Sequence, residues 1–342
     1  MRAIVVGGGP VGLYAATLAA LSGMDVTLFE ARTGDGDKAC GEGLMPLAVS
    51  ALGAIGVEPR GRPFSGIRYL DATGKRQVRA DIGCGLGVRR TELVRALREA
   101  ALRTGVSTTH SRVSSVRQQD ASVTVTAQDG RHDAEVVFGC DGLSSTVRRS
   151  AGLEAQAGKS RRYGLVAHYE VEPWSSDVEV YWGSGGEGYV TPVSEYEVGV
   201  ALLGGPGASF DDRLDELPAL RHRLEGSRRV GRSTGAGPLS RGATTPGRGR
   251  VMLVGDAAGY VDALTGEGLA VGFVGARLAV DAASTGAFEQ YPSAWMQATR
   301  RTRWSTDTLV RSTQRRPLRR ALLPMASMVP AAFARAVRAA TS

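Results

Sequence analysis

Two periods of hydrophobic residues run through the chain. Short apolar runs predict strands, and stretches with an apolar residue every third or fourth position predict helices. Ala3-Ile4-Val5-Val6 predicts a buried strand, the alanine-rich segment after Val11 a helix, and Asp25-Val26-Thr27-Leu28-Phe29 a second strand ending at Glu30. Gly66 to Leu70 and Gln77 to Ala80 alternate like strands around the turn Ala72-Thr73-Gly74-Lys75. Thr91 to Arg103 has the spacing of an amphipathic helix. Strands are predicted near Val113 to Val116, Val123 to Val125 and Val136 to Phe138, with a turn at Asp129-Gly130. The block from Tyr163 to about Gly204, rich in Val and Tyr, predicts consecutive strands. Arg250 to Val254 predicts a strand ending in Gly255-Asp256, and Ala270 to Ala283 a helix. Pro317, Pro324 and Pro330 predict that the C-terminal region is broken into short helices.

The order is interrupted rather than tandem. Residues 1–60, 87–155 and 246–299 are expected to form one discontinuous nucleotide-binding domain. Residues 61–86 and 156–245 are expected to form a second, antiparallel sheet that covers the substrate, and 300–342 a helical extension.

The first turn carries G-x-G-x-x-G at Gly7, Gly9 and Gly12. Its first glycine allows the tight turn, its second lets the backbone approach a pyrophosphate, and its third brings helix and strand together. Pro10 opens the helix, whose N-terminus faces the phosphate charge. Glu30 follows at about the twenty-residue spacing of an acid that bonds a ribose. A fortuitous glycine turn is the alternative; the strand-helix-strand context favours an adenine dinucleotide.

Two further segments narrow the dinucleotide: Asp141-Gly142 with Ser144 and Arg148, after a strand, and Gly255-Asp256-Ala257-Ala258-Gly259, leading to Thr265-Gly266-Glu267-Gly268. With these three signatures in order, the sequence resembles the glutathione-reductase-type flavoproteins that bind FAD non-covalently. Within them it is similar to the branch of p-hydroxybenzoate-hydroxylase-type monooxygenases and geranylgeranyl reductases. The resemblance implies an α/β fold: a Rossmann-like FAD-binding domain with an inserted antiparallel β-sheet substrate domain and C-terminal helices. It implies that Asp256 binds the ribityl hydroxyls and that Gly266, Glu267 and Gly268 turn amides toward the flavin pyrimidine. It implies that Asp141 and its segment support the flavin and the path of the pyridine nucleotide. It also implies a FAD contact at Arg90, with Arg89 as the competing choice. On the residues alone, Asp256 can cap a helix, and Ser144 with Arg148 can be a capped turn and a surface arginine.

The resemblance leaves the reaction open between two outcomes. The hydroxylases commonly carry a histidine, a proline and Gly-Gln-Gly where this chain has Gly259, Ala263 and Gly266-Glu267-Gly268. Those departures, and the loop Ala39-Cys40-Gly41-Glu42-Gly43-Leu44-Met45-Pro46, resemble the geranylgeranyl reductases; monooxygenases that tailor hydrophobic metabolites share much of the loop. The favoured expectation is an NAD(P)H-using monooxygenase that oxygenates an apolar aromatic or isoprenoid metabolite through a flavin C4a-hydroperoxide. Reduction of an isoprenoid double bond is the alternative, and a non-catalytic flavin protein the third. Cys40 is expected to shape the flavin pocket. Tyr181 and Tyr189, on strands joined by a turn at Gly183 to Gly186, are candidates for an aromatic wall, with Trp182 on the opposite face from Tyr181; Tyr189 is the favoured residue, against ordinary sheet packing.

Composition changes little. The chain of 342 residues is 42% hydrophobic and 22% charged, which is ordinary for a globular protein. Three cysteines, Cys40, Cys84 and Cys140, make no paired framework or metal spacing, and the four histidines are scattered and read as surface or packed residues. No catalytic serine triad, zinc spacing or Walker loop competes. The start of a strand at the N-terminus predicts no signal peptide, and no apolar run reaches membrane-span length, so a cytoplasmic location is expected. The net charge of +8 is concentrated late, in Arg300, Arg301, Arg303, Arg311, Arg315, Arg316, Arg319 and Arg320 ahead of an apolar stretch. That segment reads as a solvated helical face, a peripheral contact with an anionic membrane, or a protein partner surface. Nucleic acid is not an expected partner; an apolar small molecule is.

Overall fold

The computed structural model describes residues 1–34, 37–156, 161–314 and 316–341. Arg315 lies outside the described residues. Two sheets organise the molecule.

The N-terminal strand β1 (Arg2–Val6) is buried apart from its first residue and leads through the glycine turn into α1 (Pro10–Leu21), then β2 (Asp25–Phe29). Gly9 is the extended N-cap of α1 and Pro10 its first helical residue, where a missing N–H costs no hydrogen bond. The chain continues through β3 (Gly43–Leu44), α2 (Pro46–Gly53), the hairpin β4 (Arg62–Asp71) and β5 (Gln77–Gly87), α3 (Arg90–Arg103) and β6 (Ser107–Thr109). Strands β7 (Val113–Gln118), β8 (Val123–Ala127) and β9 (Gly130–Ala134) form a small antiparallel sheet, the last two joined at Asp129-Gly130. β10 (Val136–Gly139) then returns beside β1, followed by α4 (Thr146–Ser150).

The next block is β11 (Tyr163–Glu170), β12 (Val178–Trp182), β13 (Gly186–Pro192), β14 (Glu197–Gly204), α5 (Phe210–Asp215), α6 (Pro218–Leu224) and β15 (Arg228–Ala236). Short strands β16 (Arg241–Gly242) and β17 (Gly247–Arg248) lead to β18 (Val251–Leu253) and β19 (Gly259–Tyr260). Helices α7 (Gly268–Ser284), α8 (Tyr291–Thr313), α9 (Arg316–Met328) and α10 (Pro330–Thr341) complete the chain.

The first sheet has the order β17-β18-β10-β1-β2-β6, parallel from β18 to β6. Its register sets Val6 opposite Gly139 and Gly139 opposite Leu253, so three strands end side by side. The second sheet has the order β15-β11-β14-β13-β12-β4-β5-β3. It joins both expected blocks, but the seam between them is not antiparallel: β12 pairs parallel with β4, because the chain leaves the β4–β5 hairpin and comes back to it from the first domain.

Helices α5 and α6 cover one face of this second sheet, around Tyr181, Leu202, Phe210 and Leu220. The opposite face carries Phe64, Ile67, Val180 and the half-buried Tyr69, Trp182 and Tyr189. α9 and α10 fold over it at β4 and β5, where Phe333 meets the edge of Tyr69 at 5.0 Å between ring centres.

The prolines do not all break helices. Pro317 sits in the first turn of α9 and Pro330 opens α10, but Pro324 lies inside α9, which runs on to Met328. Among the described residues no helix is long and apolar enough to cross a membrane.

Candidate functional site

The parallel register brings the three sequence signatures to one place. Gly7 follows β1, Cys140-Asp141 follows β10, and Gly255-Asp256 comes two residues after β18, at the carboxyl ends of adjacent strands where open α/β sheets bind ligands. The turn is built as the glycines require. Gly7 has φ +107°, and a Cβ there would lie 2.5 Å from Cys140 O; one on Gly12 would lie 1.8 Å from Gly7 O. Gly9 faces open space, its nearest neighbour being Arg90 Nη2 at 3.6 Å from a built Cβ.

Glu30 closes the turn from the other side. Its Oε2 accepts from Gly8 N at 2.7 Å and its Oε1 from Arg32 N at 2.8 Å. Asp141 Oδ2 accepts from Thr146 N at 2.6 Å and Val147 N at 3.0 Å, while its buried Oδ1 has no protein partner. Burial raises the Asp256 carboxyl above the usual range against the pull of Lys38 and Arg90. The uncrowded side of Gly9, an orphaned carboxylate oxygen on Asp141 and cations at Lys38 and Arg90 fit a dinucleotide with a polyol linker.

The two adjacent arginines part company. Arg90 opens α3 with its guanidinium beside Gly9, whereas Arg89 Nη1 lies 3.3 Å from Glu197 Oε1 on β14. Arg148 is buried rather than exposed. It is 1% exposed, ties its segment to the Gly-Asp loop by donating to Ala257 O at 3.0 Å, and donates within its own segment to Leu143 O at 2.7 Å. The cap of α4 is Ser145, which accepts from Arg148 N, rather than Ser144. The hydroxyl one residue later is the one aligned with the N3 amide.

The loop between Ala39 and Met45 is held by a residue the sequence reading passed over. Glu42 is 4% exposed and has φ +59°, the one positive value at a non-glycine among the described residues. Its Oε1 accepts from Arg90 N at 2.8 Å, its Oε2 lies 2.7 Å from His168 Nε2, and its carbonyl accepts from Val88 N. Thr191 Oγ1 donates to Gly41 O at 2.7 Å. Cys40 therefore sits in a loop pinned to the second sheet and to the start of α3, and burial pushes its thiol up despite Arg90, so it stays protonated near neutral pH. The only sequence signal for this clasp is an acid inside a glycine-flanked loop.

Tyr189 stands on the sheet face turned toward these loops, beside Val180 and, one strand further, Tyr69. Its hydroxyl donates to Leu264 O at 3.0 Å, linking β13 to the turn before α7. Trp182 shares that face. Tyr181 does not: it packs under α5 and α6 and donates to Glu179 Oε2, because neighbouring strand residues point to opposite faces. The same face, beneath α9, holds a balanced buried network that sequence reading missed. Arg162 lies 2.6 Å from Glu187 and 3.3 Å from Asp262, and Arg319 of α9 lies 2.9 Å from Glu187. Burial pushes Asp262 up to about 6.

The turn that opens α7 has Gly266 at φ +70°, Glu267 as the N-cap and Gly268 as the first helical residue. Glu267 is 6% exposed, its Oε2 has no partner, and burial lifts its carboxyl to about 7, opposed by Arg301 of α8.

Comparison with known proteins matches residues 1–280 to the family described as FAD binding domain. The chain is 30% identical to a menaquinone reductase of Mycolicibacterium smegmatis over 338 residues, covering 85% of this chain and 78% of that one. It is 30% identical to digeranylgeranylglycerophospholipid reductase 1 of Methanopyrus kandleri, covering 89% and 86%. Among solved structures, the Diels-Alderase PyrE3 of pyrroindomycin biosynthesis superposes with a TM-score of 0.79 at 25% identity, over 99% of this chain and 80% of that one.

Proposed function

This chain belongs to the FAD binding domain family, and on that premise we propose that it reduces a carbon–carbon double bond in an isoprenoid-bearing substrate. It is an oxidoreductase whose cofactor is FAD. The observation that carries the finer reading is that two relatives, each matched over more than three quarters of its length, are named reductases of menaquinone and of a digeranylgeranyl lipid. Oxygen insertion, the expectation favoured from sequence, becomes the second reading.

The cofactor residues have distinct tasks in this proposal. Gly9 and the start of α1 receive the pyrophosphate, Glu30 the adenosine ribose, and Asp256 the ribityl chain, with Asp141 Oδ1 supplying a second acceptor. Arg90 and Lys38 balance anionic charge there. The amides of Gly266, Glu267 and Gly268, at a helix N-terminus, stabilise negative charge on the flavin pyrimidine. FAD, reduced by NAD(P)H, supplies the hydride.

Double-bond reduction also needs a proton and a dry apolar surface. Cys40 Sγ and the Glu267 carboxyl both hold protons near neutral pH because burial disfavours their charged forms. Tyr69, Val180, Trp182 and Tyr189 form the apolar wall, closed on its outer side by α9 and α10. Domain interfaces of this kind are common ligand sites.

The test is an anaerobic incubation of dithionite-reduced protein with a geranylgeranyl compound. The product is expected to gain two hydrogens by mass spectrometry. A product that forms only in air with NAD(P)H, and gains one oxygen atom, overturns reduction in favour of oxygen insertion. Substrate binding with neither product assigns the chain to flavin binding without turnover.

A further inference from the structure

The outer side of the C-terminal helices is apolar where solvent should be. Leu323 and Ala326 of α9 pack inward on Val78, and Phe333 and Val337 of α10 pack inward near Tyr69. On the other side, Leu318, Met325, Met328 and Val329 are 46%, 63%, 81% and 57% exposed. Leu318, Met325 and Val329 follow helical spacing and so share one stripe, which ends at the corner where Pro330 turns the chain into α10. Exposed large apolar residues are ordinary singly; grouped at one corner they mark a contact.

The charge of the sequence that carries this corner points to the partner. After Asp307 the chain contains no acidic residue, while Arg311, Arg315, Arg316, Arg319, Arg320, Arg335 and Arg338 follow. Arg319 is turned inward to Glu187 and fixes α9 to the second sheet. A segment that combines an apolar edge with a single sign of charge complements an anionic lipid surface, which attracts arginines and accepts the apolar side chains among its acyl chains. A second copy of the chain would set one arginine-rich segment against another.

We infer that the corner between α9 and α10 docks on an anionic bilayer surface, placing the roof of the apolar wall against the lipid from which an isoprenoid chain can enter. The last clause rests on the function proposed above; the docking itself does not. The same helices therefore do two things: they cover the wall on one side and present the apolar corner on the other.

Flotation of the full-length FAD-loaded protein with phosphatidylglycerol–phosphatidylcholine vesicles tests this without measuring catalysis. The protein is expected to float with the anionic vesicles and roughly tenfold less with phosphatidylcholine alone, and high salt should release it. Met325→Glu with Met328→Glu should lower the bound fraction by about tenfold while FAD content and Tm stay at the parent values. Met328→Ser alone gives a smaller loss and covers the case in which the double variant folds poorly. No flotation, or flotation equal in all variants, overturns the proposal. A concentration-dependent dimer in light scattering that the same variants abolish, without vesicle binding, assigns the corner to a second copy instead. Vesicle binding in a protein that reduces no isoprenoid leaves the docking intact and removes only the proposed reaction.

Discussion

Glu42 Oε2 and His168 Nε2 lie 2.7 Å apart, both residues buried, and through this contact the loop after Cys40 is joined to the second sheet. Glu42 also accepts from the first amide of α3, so one side chain connects the loop, the helix that presents Arg90, and strand β11. Gly199 faces His168 across the strands, and a Cβ there would come 2.6 Å from Glu42 Oε2. The space for the contact is thus built into the sheet.

Breaking this pair should be costly. Glu42→Ala and His168→Leu are each expected to destabilise by about 3 kcal/mol, because each strands a buried polar partner. Gly199→Ala should cost about 1–3 kcal/mol by overpacking the same contact. Urea unfolding of the three variants measures this, and FAD affinity should fall with Glu42→Ala because the amide of Arg90 loses its acceptor. Losses within about 0.5 kcal/mol would show that the pair is incidental.

Gly9→Val and Asp256→Ala should each reduce the FAD recovered from purified protein. The first fills the open side of the turn and the second removes an acceptor from the ribityl site. Absorbance of the released cofactor checks both, with FMN expected from neither. Full occupancy in the two variants would remove these residues from the cofactor site.

Tyr189→Phe should lose the single hydrogen bond to Leu264 O, about 1 kcal/mol of stability, and leave KM near the parent value. Tyr189→Ala should raise KM for an apolar substrate roughly tenfold by opening the wall. If the alanine variant lowers only Tm, Tyr189 is packing and the wall lies elsewhere.

Glu267 predicts a pH-dependent stability. Its carboxyl rises from 4.5 to about 7 on folding, so between those values the folded protein holds a proton that the unfolded chain has released. Stability from this group is full below about pH 4.5 and declines as pH rises through 7. Glu267→Gln should flatten that decline and be more stable than the parent at pH 8, by up to about 3 kcal/mol. Thermal melts of both proteins from pH 5 to 8 check the sign; parallel curves would show that Glu267 ionises normally.

Cys40→Ala should alter turnover while FAD content stays near normal, since the thiol lies beside Arg90 but neither the glycine turn nor Asp256 depends on it. Unchanged steady-state kinetics would reduce Cys40 to a packing residue.

Much of the fold could be read along the chain because its signals are local. The run from Ala3 to Val6, the glycines at 7, 9 and 12, and Gly255-Asp256 each specify a backbone conformation within a few residues. The hairpins at Gly74 and Gly130 did so too, with glycines at φ +71° and φ +137°. Side-chain direction was less accessible. Arg148 could be read as part of a flavin-supporting segment or as a surface arginine, and its burial removes the second; Tyr181 looked like a partner of Tyr189 and faces the other layer; Pro324 looked like a helix end and is inside α9.

By itself the sequence determined the elements, their glycine turns and the three signatures of a nucleotide site, because strand and turn preferences are set by neighbouring residues. Only the tertiary structure decided that these signatures meet. Gly7, Asp141 and Asp256 come together because β1, β10 and β18 lie side by side in parallel register, an order fixed by crossovers spanning most of the chain. It also decided that Glu42 finds His168 and that Glu187 finds both Arg162 and Arg319. Those partners are far apart in sequence, and their contacts exist because packing the second sheet and the C-terminal helices leaves each buried charge one place where it can be balanced.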